Sequence, residues 1–374
     1  CVGEFGRAEG QVRLEELASL AHTAGLSVVG GETIRLRHPD AATLIGRGRL
    51  ESLSIEALNR GATLLLFDTQ LSPAQVQNLG EATELKIIDR TQLILDIFAK
   101  HARSREGKLQ VELAQQRYRL PRLVGRNPAL SRLAGGIGGQ GPGETKLEID
   151  RRRARDRIRR LERELEHLER RRGFERKARL RHGAPVVSLV GYTNAGKSTL
   201  FNRLTRQSNG KGALVANQLF ATLDPTTRRL SLALQAQDVP GAPEWCLMSD
   251  TVGFIRDLPE DLVRSFHATL EELRDASLLV HVVDASSPHW REQREAVSKT
   301  LVELGLADLP CLTVYNKADL IAAEDREAGW PGLLVSAEEG EGLAAIRLAI
   351  AQILASKEYA REEERRVAGQ LALA

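Results

Sequence analysis

Cysteine is scarce in this chain: Cys1, Cys246 and Cys311 are the only three in 374 residues, far apart and with no C-x-x-C pair. That spacing excludes a disulfide framework and argues against a cysteine metal centre, leaving core or incidental thiols. No apolar run is long enough to cross a bilayer and no secretory signal is visible, so the expected location is the cytoplasm, with no membrane span. The first residue is Cys1 rather than Met, which leaves room for a missing N-terminal piece. Net charge is also nearly absent, at +3 from 53 Lys and Arg against 50 Asp and Glu.

That balance hides an asymmetry. His101 to His182 carries 24 Lys/Arg against 11 Asp/Glu, and the rest of the chain is left with a net excess of ten acidic residues. A basic block in an otherwise acidic protein points to a polyanion. Charge runs are more often a solvated helix face. Here Arg151, Arg152, Arg153, Arg155, Arg157, Arg159 and Arg160 fall within ten residues, denser than solubility requires, which favours RNA contact.

The basic block has a shape. Leu147, Ala154, Ile158, Leu161, Leu165 and Leu168 repeat as a heptad seam and predict a long helix on a partner helix. The expected partner is Arg105 to Leu120, with Leu109, Leu113 and Leu120 on one face and Pro121 ending it. Between them runs Leu123 to Glu144, with Gly135, Gly136, Gly138, Gly139, Gly141, Pro142 and Gly143, a long tip that is either an inserting probe or slack.

At 374 residues the chain exceeds one core, and two or three domains are expected. In the first hundred residues a helical pattern from Leu14 to Ala24 precedes a strand at Leu26 to Val29. A buried strand at Ala62 to Phe67 leads to a helix over Ser72 to Leu79, and a strand at Leu85 to Ile88 leads to a helix over Thr91 to Ala102. Alternation of this kind predicts a small parallel α/β domain. Gly46-Arg47-Gly48 reads as a turn rather than a phosphate site. The boundaries are therefore an N-terminal α/β domain over 1–100, a basic helical hairpin over 101–182, a P-loop domain over 183–356 closed by an amphipathic helix from Glu341 to Leu354, and a tail over 357–374.

The P-loop domain carries the chemistry. Gly191-Tyr192-Thr193-Asn194-Ala195-Gly196-Lys197-Ser198-Thr199 completes G-x-x-x-x-G-K-[S/T] directly behind the apolar run Val186 to Val190. A glycine-rich turn between strand and helix aligns backbone N–H groups on the phosphates of a nucleoside triphosphate. Asn316-Lys317-Ala318-Asp319 follows a second apolar strand, Cys311 to Tyr315. A carboxylate there accepts two hydrogen bonds from guanine, which adenine cannot supply, so GTP and GDP are the expected ligands. Asn316 would brace the phosphate loop, Lys317 would lie along the base, and Ser336-Ala337 would offer a backbone N–H to guanine O6.

Asp250-Thr251-Val252-Gly253 lies between these motifs. Asp250 is placed to hold Mg²⁺ through water beside Ser198, and the Gly253 N–H to meet the γ-phosphate. In Phe220 to Thr227, Thr222 is favoured over Thr226 as the remaining Mg²⁺ ligand. Lys197, Gly253 and Thr222 are the candidate catalytic groups. A glutamine is missing: Phe254 stands where many GTPases place the residue that orients water, so slow hydrolysis dependent on a partner is expected. The Asn194 amide carbonyl is a candidate ligand for K⁺ beside the phosphates.

These residues resemble a family. Phe67-Asp68 with Leu71-Ser72-Pro73-Ala74-Gln75, Asp89-Arg90-Thr91 with Leu93 to Phe98, Arg105 to Gln115, and Gly141-Pro142-Gly143-Glu144 leading to Asp150 to Arg153 are similar to the HflX ribosome-associated GTPases of the Obg-HflX superfamily. The P-loop, the Phe220 to Thr227 switch and Asp250 to Phe254 continue the match, which extends from Leu14 to Leu354. The resemblance implies binding to the large (50S) ribosomal subunit and the 70S ribosome, splitting or rescue of stalled ribosomes under stress, and a hairpin whose loop reaches ribosomal RNA near the peptidyl transferase centre. Some members have a further C-terminal domain, for which this tail has no room. An ATP-linked N-terminal role is also suggested for the family, although no second phosphate loop is evident here. A monomer is expected. The alternative function is a GTP-dependent RNA-binding or RNA-modification partner that does not split ribosomes.

Overall fold

The computed structural model describes residues 2–3, 6–36, 38–123, 146–181, 184–205, 226–251, 253–256, 273–327 and 329–356. The glycine-rich tip beyond Leu123, Thr222 and the switch before Thr226, Val252, Cys1 and the 357–374 tail lie outside these residues. The chain divides into two compact units within the long helix, between Leu168 and Glu169.

In the first unit β1 (Val2–Gly3) pairs in parallel with β2 (Ile34–Arg35), and β3 (Leu64–Phe67) with β4 (Lys86–Asp89). Helices α1 (Arg7–Thr23), α2 (Arg47–Asn59), α3 (Pro73–Thr83) and α4 (Arg90–His101) surround them. Local chemistry sets the crossover between β3 and β4. Ser72 and Gln75 form a reciprocal capping box, and Pro73 occupies the first turn, where its missing N–H costs nothing. Leu71, Leu79, Phe67, Ile45 and Ile87 fill the core beneath α3.

The expected strand at Leu26 to Val29 does not form. Val28 and Val29 are 41% and 49% exposed, and the Val29 carbonyl accepts from Arg60 Nη1 at 3.1 Å instead of from a neighbouring strand. The Gly46-Arg47-Gly48 turn is the start of α2, with Gly46 at its N-cap. This helix buries Leu50 and Ala57 but exposes Ile55 and Leu58, so its apolar residues lie on more than one face and leave no clean 3.6-residue stripe.

The predicted hairpin forms in the same unit. Helix α5 (Arg105–Arg119) lies against α6 (Lys146–Arg181), with Leu109 and Leu113 packed on Leu161 and Leu165, flanked by Ile158 and Leu168. Ser104 caps α5 by accepting from Gly107 N at 2.9 Å, and Leu120-Pro121-Arg122 ends it as a 3₁₀ turn.

The second unit is built on a six-stranded sheet ordered β10-β9-β8-β5-β7-β6, using β5 (Val186–Gly191), β6 (Thr226–Ser231), β7 (Trp245–Asp250), β8 (Leu278–Asp284), β9 (Cys311–Asn316) and β10 (Leu333–Leu334). Among these described strands only β6, at one edge, runs antiparallel. The central strands read as apolar runs because both faces are covered, and Val187, Leu189, Val280 and Val282 are fully buried. Helix α7 (Lys197–Thr205) and a helix over 343–356 supply Leu200, Phe201, Ile346 and Ile350 to the same core. The chain passes from β5 to opposite sides of the sheet, so a crevice opens beyond the C-terminal end of β5.

Candidate functional site

That crevice holds the phosphate loop. Strand β5 ends at Gly191, and α7 begins at Lys197. Asn194 and Gly196 turn the chain with φ of 63° and 88°. Glycine is required at the second of these, since a Cβ on Gly196 would collide with the Asn316 side-chain amide. Asn194 is exposed at the turn.

Lys197 is buried under the loop. Its Nζ donates to the Gly191 and Tyr192 carbonyls at 3.1 and 2.9 Å, and burial lowers its pKa to about 8, opposed by the Asp250 charge. Ser198 Oγ donates to Asp250 Oδ2 at 2.7 Å, uniting two hard oxygen donors at the end of β7. This donor set suits Mg²⁺. Thr251 Oγ1 donates to the Leu189 carbonyl at 2.6 Å, locking the chain after β7 to β5. A Cβ on Gly253 would stand 2.8 Å from Thr193 Cγ2 and 3.0 Å from Lys197 Nζ, so the cradle is open only because glycine lines it.

Phe254 is bound to the loop by its backbone. Its N–H donates to Gly191 O at 3.0 Å, and its carbonyl accepts from Thr193 N at 2.7 Å. The ring is 3% exposed, an apolar side chain turned into the protein where a polar one would orient water. Thr226, the less favoured switch threonine, begins β6 opposite Asp250 in register.

The base motif is assembled from three strand ends. Asn316 closes β9, and its Nδ2 donates to Ala195 O at 2.9 Å, tying it to the phosphate loop. Its Oδ1 accepts from Ala337 N at 2.9 Å, so an O6 contact would have to share that N–H. Asp319 Oδ1 accepts from Ser336 Oγ at 2.5 Å, which orients the carboxylate. Lys317 has φ of 69°, and its Nζ lies 2.6 Å from Asp284 Oδ2. Asp284 escaped the sequence reading. Its signal is positional, an acidic residue ending β8 in register with Asn316.

The seven arginines divide. Arg152, Arg153, Arg155, Arg159 and Arg160 are exposed on α6, whereas Arg157 bridges the hairpin by a two-pronged pair, Nε and Nη2 each 2.7 Å from the Glu112 carboxylate. Arg151 Nε donates to Leu123 O at 3.1 Å. Arg151 and Arg157 therefore engage their guanidinium groups across the hairpin, while Arg159 and Arg153 pair locally along α6 with Asp156 at 2.9 Å and Asp150 at 3.8 Å. Among the described residues no helix is long and apolar enough to cross a membrane, and no cluster of three or more His, Cys, Asp or Glu could hold a metal.

Comparison with known proteins follows the same segments. Family models described as GTP-binding GTPase N-terminal, GTP-binding GTPase Middle Region and 50S ribosome-binding GTPase match residues 11–99, 101–179 and 186–317. GTPase HflX of Caldanaerobacter subterraneus subsp. tengcongensis is 51% identical over 313 residues, covering 84% of this chain and 70% of that protein. GTPase HflX of Escherichia coli K12 is 44% identical over 350 residues, covering 92% and 79%. A GTP-binding protein from the archaeon Sulfolobus solfataricus, solved in complex with GDP, aligns over 96% of this chain and 98% of that one at 24% identity and a TM-score of 0.45. With a phosphate loop, a guanine motif and relatives of this identity along most of its length, the chain belongs to the HflX family of GTPases, and it binds and hydrolyses GTP.

Proposed function

We propose that this GTPase binds the large ribosomal subunit through its basic hairpin and, in the GTP-bound state, splits or rescues stalled ribosomes, acting in the cytoplasm as a monomer. The observation that carries the reading is the row of exposed arginines on α6, on the same chain as a G domain whose matching family model is described as ribosome-binding. Phosphate contacts dominate such affinity and position the protein without reading sequence.

Within the G domain, the loop N–H groups and Lys197 take the phosphates, and Asp319, aligned by Ser336, selects guanine. Ser198 and Asp250, with Thr222, would hold Mg²⁺, which when bound neutralises charge on the β- and γ-phosphates. The Gly253 N–H meets the γ-phosphate in the space its missing side chain leaves. Asn194 offers its carbonyl to K⁺. The buried Phe254 ring supplies no polar atom to water, so turnover is slow alone and rises on the ribosome.

Co-sedimentation with 50S subunits and 70S particles, with and without a nonhydrolysable GTP analogue, tests binding, and light scattering tests splitting. GTP-dependent 50S binding with falling 70S scatter is the expected result. Binding to free RNA with intact 70S particles would instead select the RNA-binding or RNA-modification reading.

A further inference from the structure

The place where the hairpin leaves the α/β half of the first unit is built around one buried carboxylate. Asp89 ends β4 and caps α4, its Oδ1 accepting from Gln92 N at 2.9 Å. Capping uses only part of it. The same Oδ1 accepts from the Tyr118 hydroxyl of α5 at 2.6 Å, while Oδ2 accepts from Leu71 N at 3.1 Å and Arg122 Nη2 at 3.4 Å. The side chain of Asp89 is 0% exposed.

Arg122 gathers the remaining groups. Its Nη2 donates to Leu71 O at 2.7 Å, its Nη1 to Tyr118 O at 3.0 Å, and its guanidinium carbon lies 3.5 Å from the centroid of the Tyr118 ring. One residue on, Leu123 O receives Arg151 Nε from α6. Burial and the neighbouring Asp89 charge raise the Tyr118 pKa, so its hydroxyl remains a donor.

We propose that Asp89, Tyr118, Arg122 and Arg151 form a polar clamp that sets the direction in which the helical hairpin leaves the α/β half, which makes them positioning residues for the hairpin's work on RNA. A buried ion pair adds little stability, because desolvation offsets most of the attraction. What it supplies is orientation: each of its bonds has a narrow angular range, and together they join the α3 entry, the β4–α4 junction and both hairpin helices. Pro121, between the two anchored residues, removes a backbone donor and stops α5 from continuing. Arg151 thereby has a task other than the RNA contact its neighbours suggest.

The consequence for activity rests on the ribosome-splitting reading, whereas the clamp itself does not. The test uses the full chain with Cys1 and Cys311 replaced by serine, leaving Cys246 buried, and spin labels on Glu81→Cys in α3 and Arg163→Cys in α6, both exposed positions of the first unit. The parent should give a narrow distance distribution. Arg122→Ala should lose it, while Asp89 keeps the Leu71, Gln92 and Tyr118 donors and the fold survives. Arg122→Lys keeps the charge without the fork and should not restore it; Tyr118→Phe keeps the ring beneath Arg122 and should broaden the distribution less. Splitting should fall about 10-fold or more in Arg122→Ala, as misplacement of a working group predicts, with GTP turnover in the absence of ribosomes unchanged. A narrow distribution in both Arg122 variants would overturn the clamp. A parent that does not split ribosomes would remove the functional reading alone, with the label distances still deciding the clamp.

Discussion

Lys197 gives the phosphate loop a proton-linked signature. Burial disfavours its charged form, so in the nucleotide-free protein the ammonium titrates near pH 8 rather than at its ordinary 10.5. The linkage sign follows directly. Above about pH 8 the free protein holds this lysine increasingly neutral, whereas a triphosphate beside it restores the charge, so GTP binding at pH 9 should take up close to one proton. Calorimetry in buffers of different ionisation enthalpy measures this, and Lys197→Met should abolish the uptake. Equal apparent enthalpies across the buffers in the parent protein would contradict the assignment. At this scale the sequence was most legible where function is local: G-x-x-x-x-G-K-S dictates a backbone shape within a few residues, and the loop forms where the motif stands. The backbone clasp of Phe254 on Gly191 and Thr193, and the pairing of Lys317 with Asp284, join segments distant in sequence and leave no local pattern to read.

Among the elements, the hairpin was readable because its apolar residues keep one period while everything around them is charged. The packed cluster is nonetheless shorter than the seam. It takes in Ile158, Leu161, Leu165 and Leu168 against Leu109 and Leu113, while Leu147, Ala154 and Leu120 are half-buried outside it. A heptad repeat reports which face is apolar, but the length of contact depends on what the partner presents, and after Leu113 helix α5 offers the polar Gln115, Gln116 and Arg117 before Leu120. Leu161, fully buried at the centre, should therefore dominate. Leu161→Ala is expected to cost about 2–5 kcal/mol and to lower the thermal midpoint of the helical signal, with Leu120→Ala costing distinctly less. Circular dichroism on the full chain checks this, and equal losses would mean that the packed seam extends to Leu120. The opposite failure occurred in the first unit, where Leu26 to Val29 looked like a strand by composition alone. Two exposed valines and a carbonyl given to Arg60 show that apolar sequence without a pairing edge is not enough. The α/β character survived that error because β3, α3, β4 and α4 each carried an independent signal, from the capping box at Ser72 to the cap at Asp89.

Over the whole sequence the near-zero net charge of +3 conceals a basic hairpin segment and an excess of ten acidic residues in the rest of the chain, and a polyanion would attract the one while repelling the other. On the proposed ribosome-binding reading, that contrast would orient the protein on RNA before any specific contact forms. The arginines should not contribute alike, because the structure has already committed some of them. Arg155 and Arg160 are exposed on α6, whereas Arg157 is held by Glu112 across the hairpin. Removing Arg155 and Arg160 together should reduce the dependence of log affinity on log salt, by roughly 0.7 to 0.9 for each phosphate no longer neutralised. Arg157→Ala should leave the salt slope nearly unchanged and act instead on the hairpin, where it strands Glu112 without its bidentate partner. Titration of 50S binding across potassium chloride concentrations separates the two effects, with thermal unfolding as the second readout. If Arg157→Ala flattened the slope as much as the double substitution, its pair with Glu112 would have to open on RNA, and the hairpin's charge would then be a shared reserve rather than a divided one.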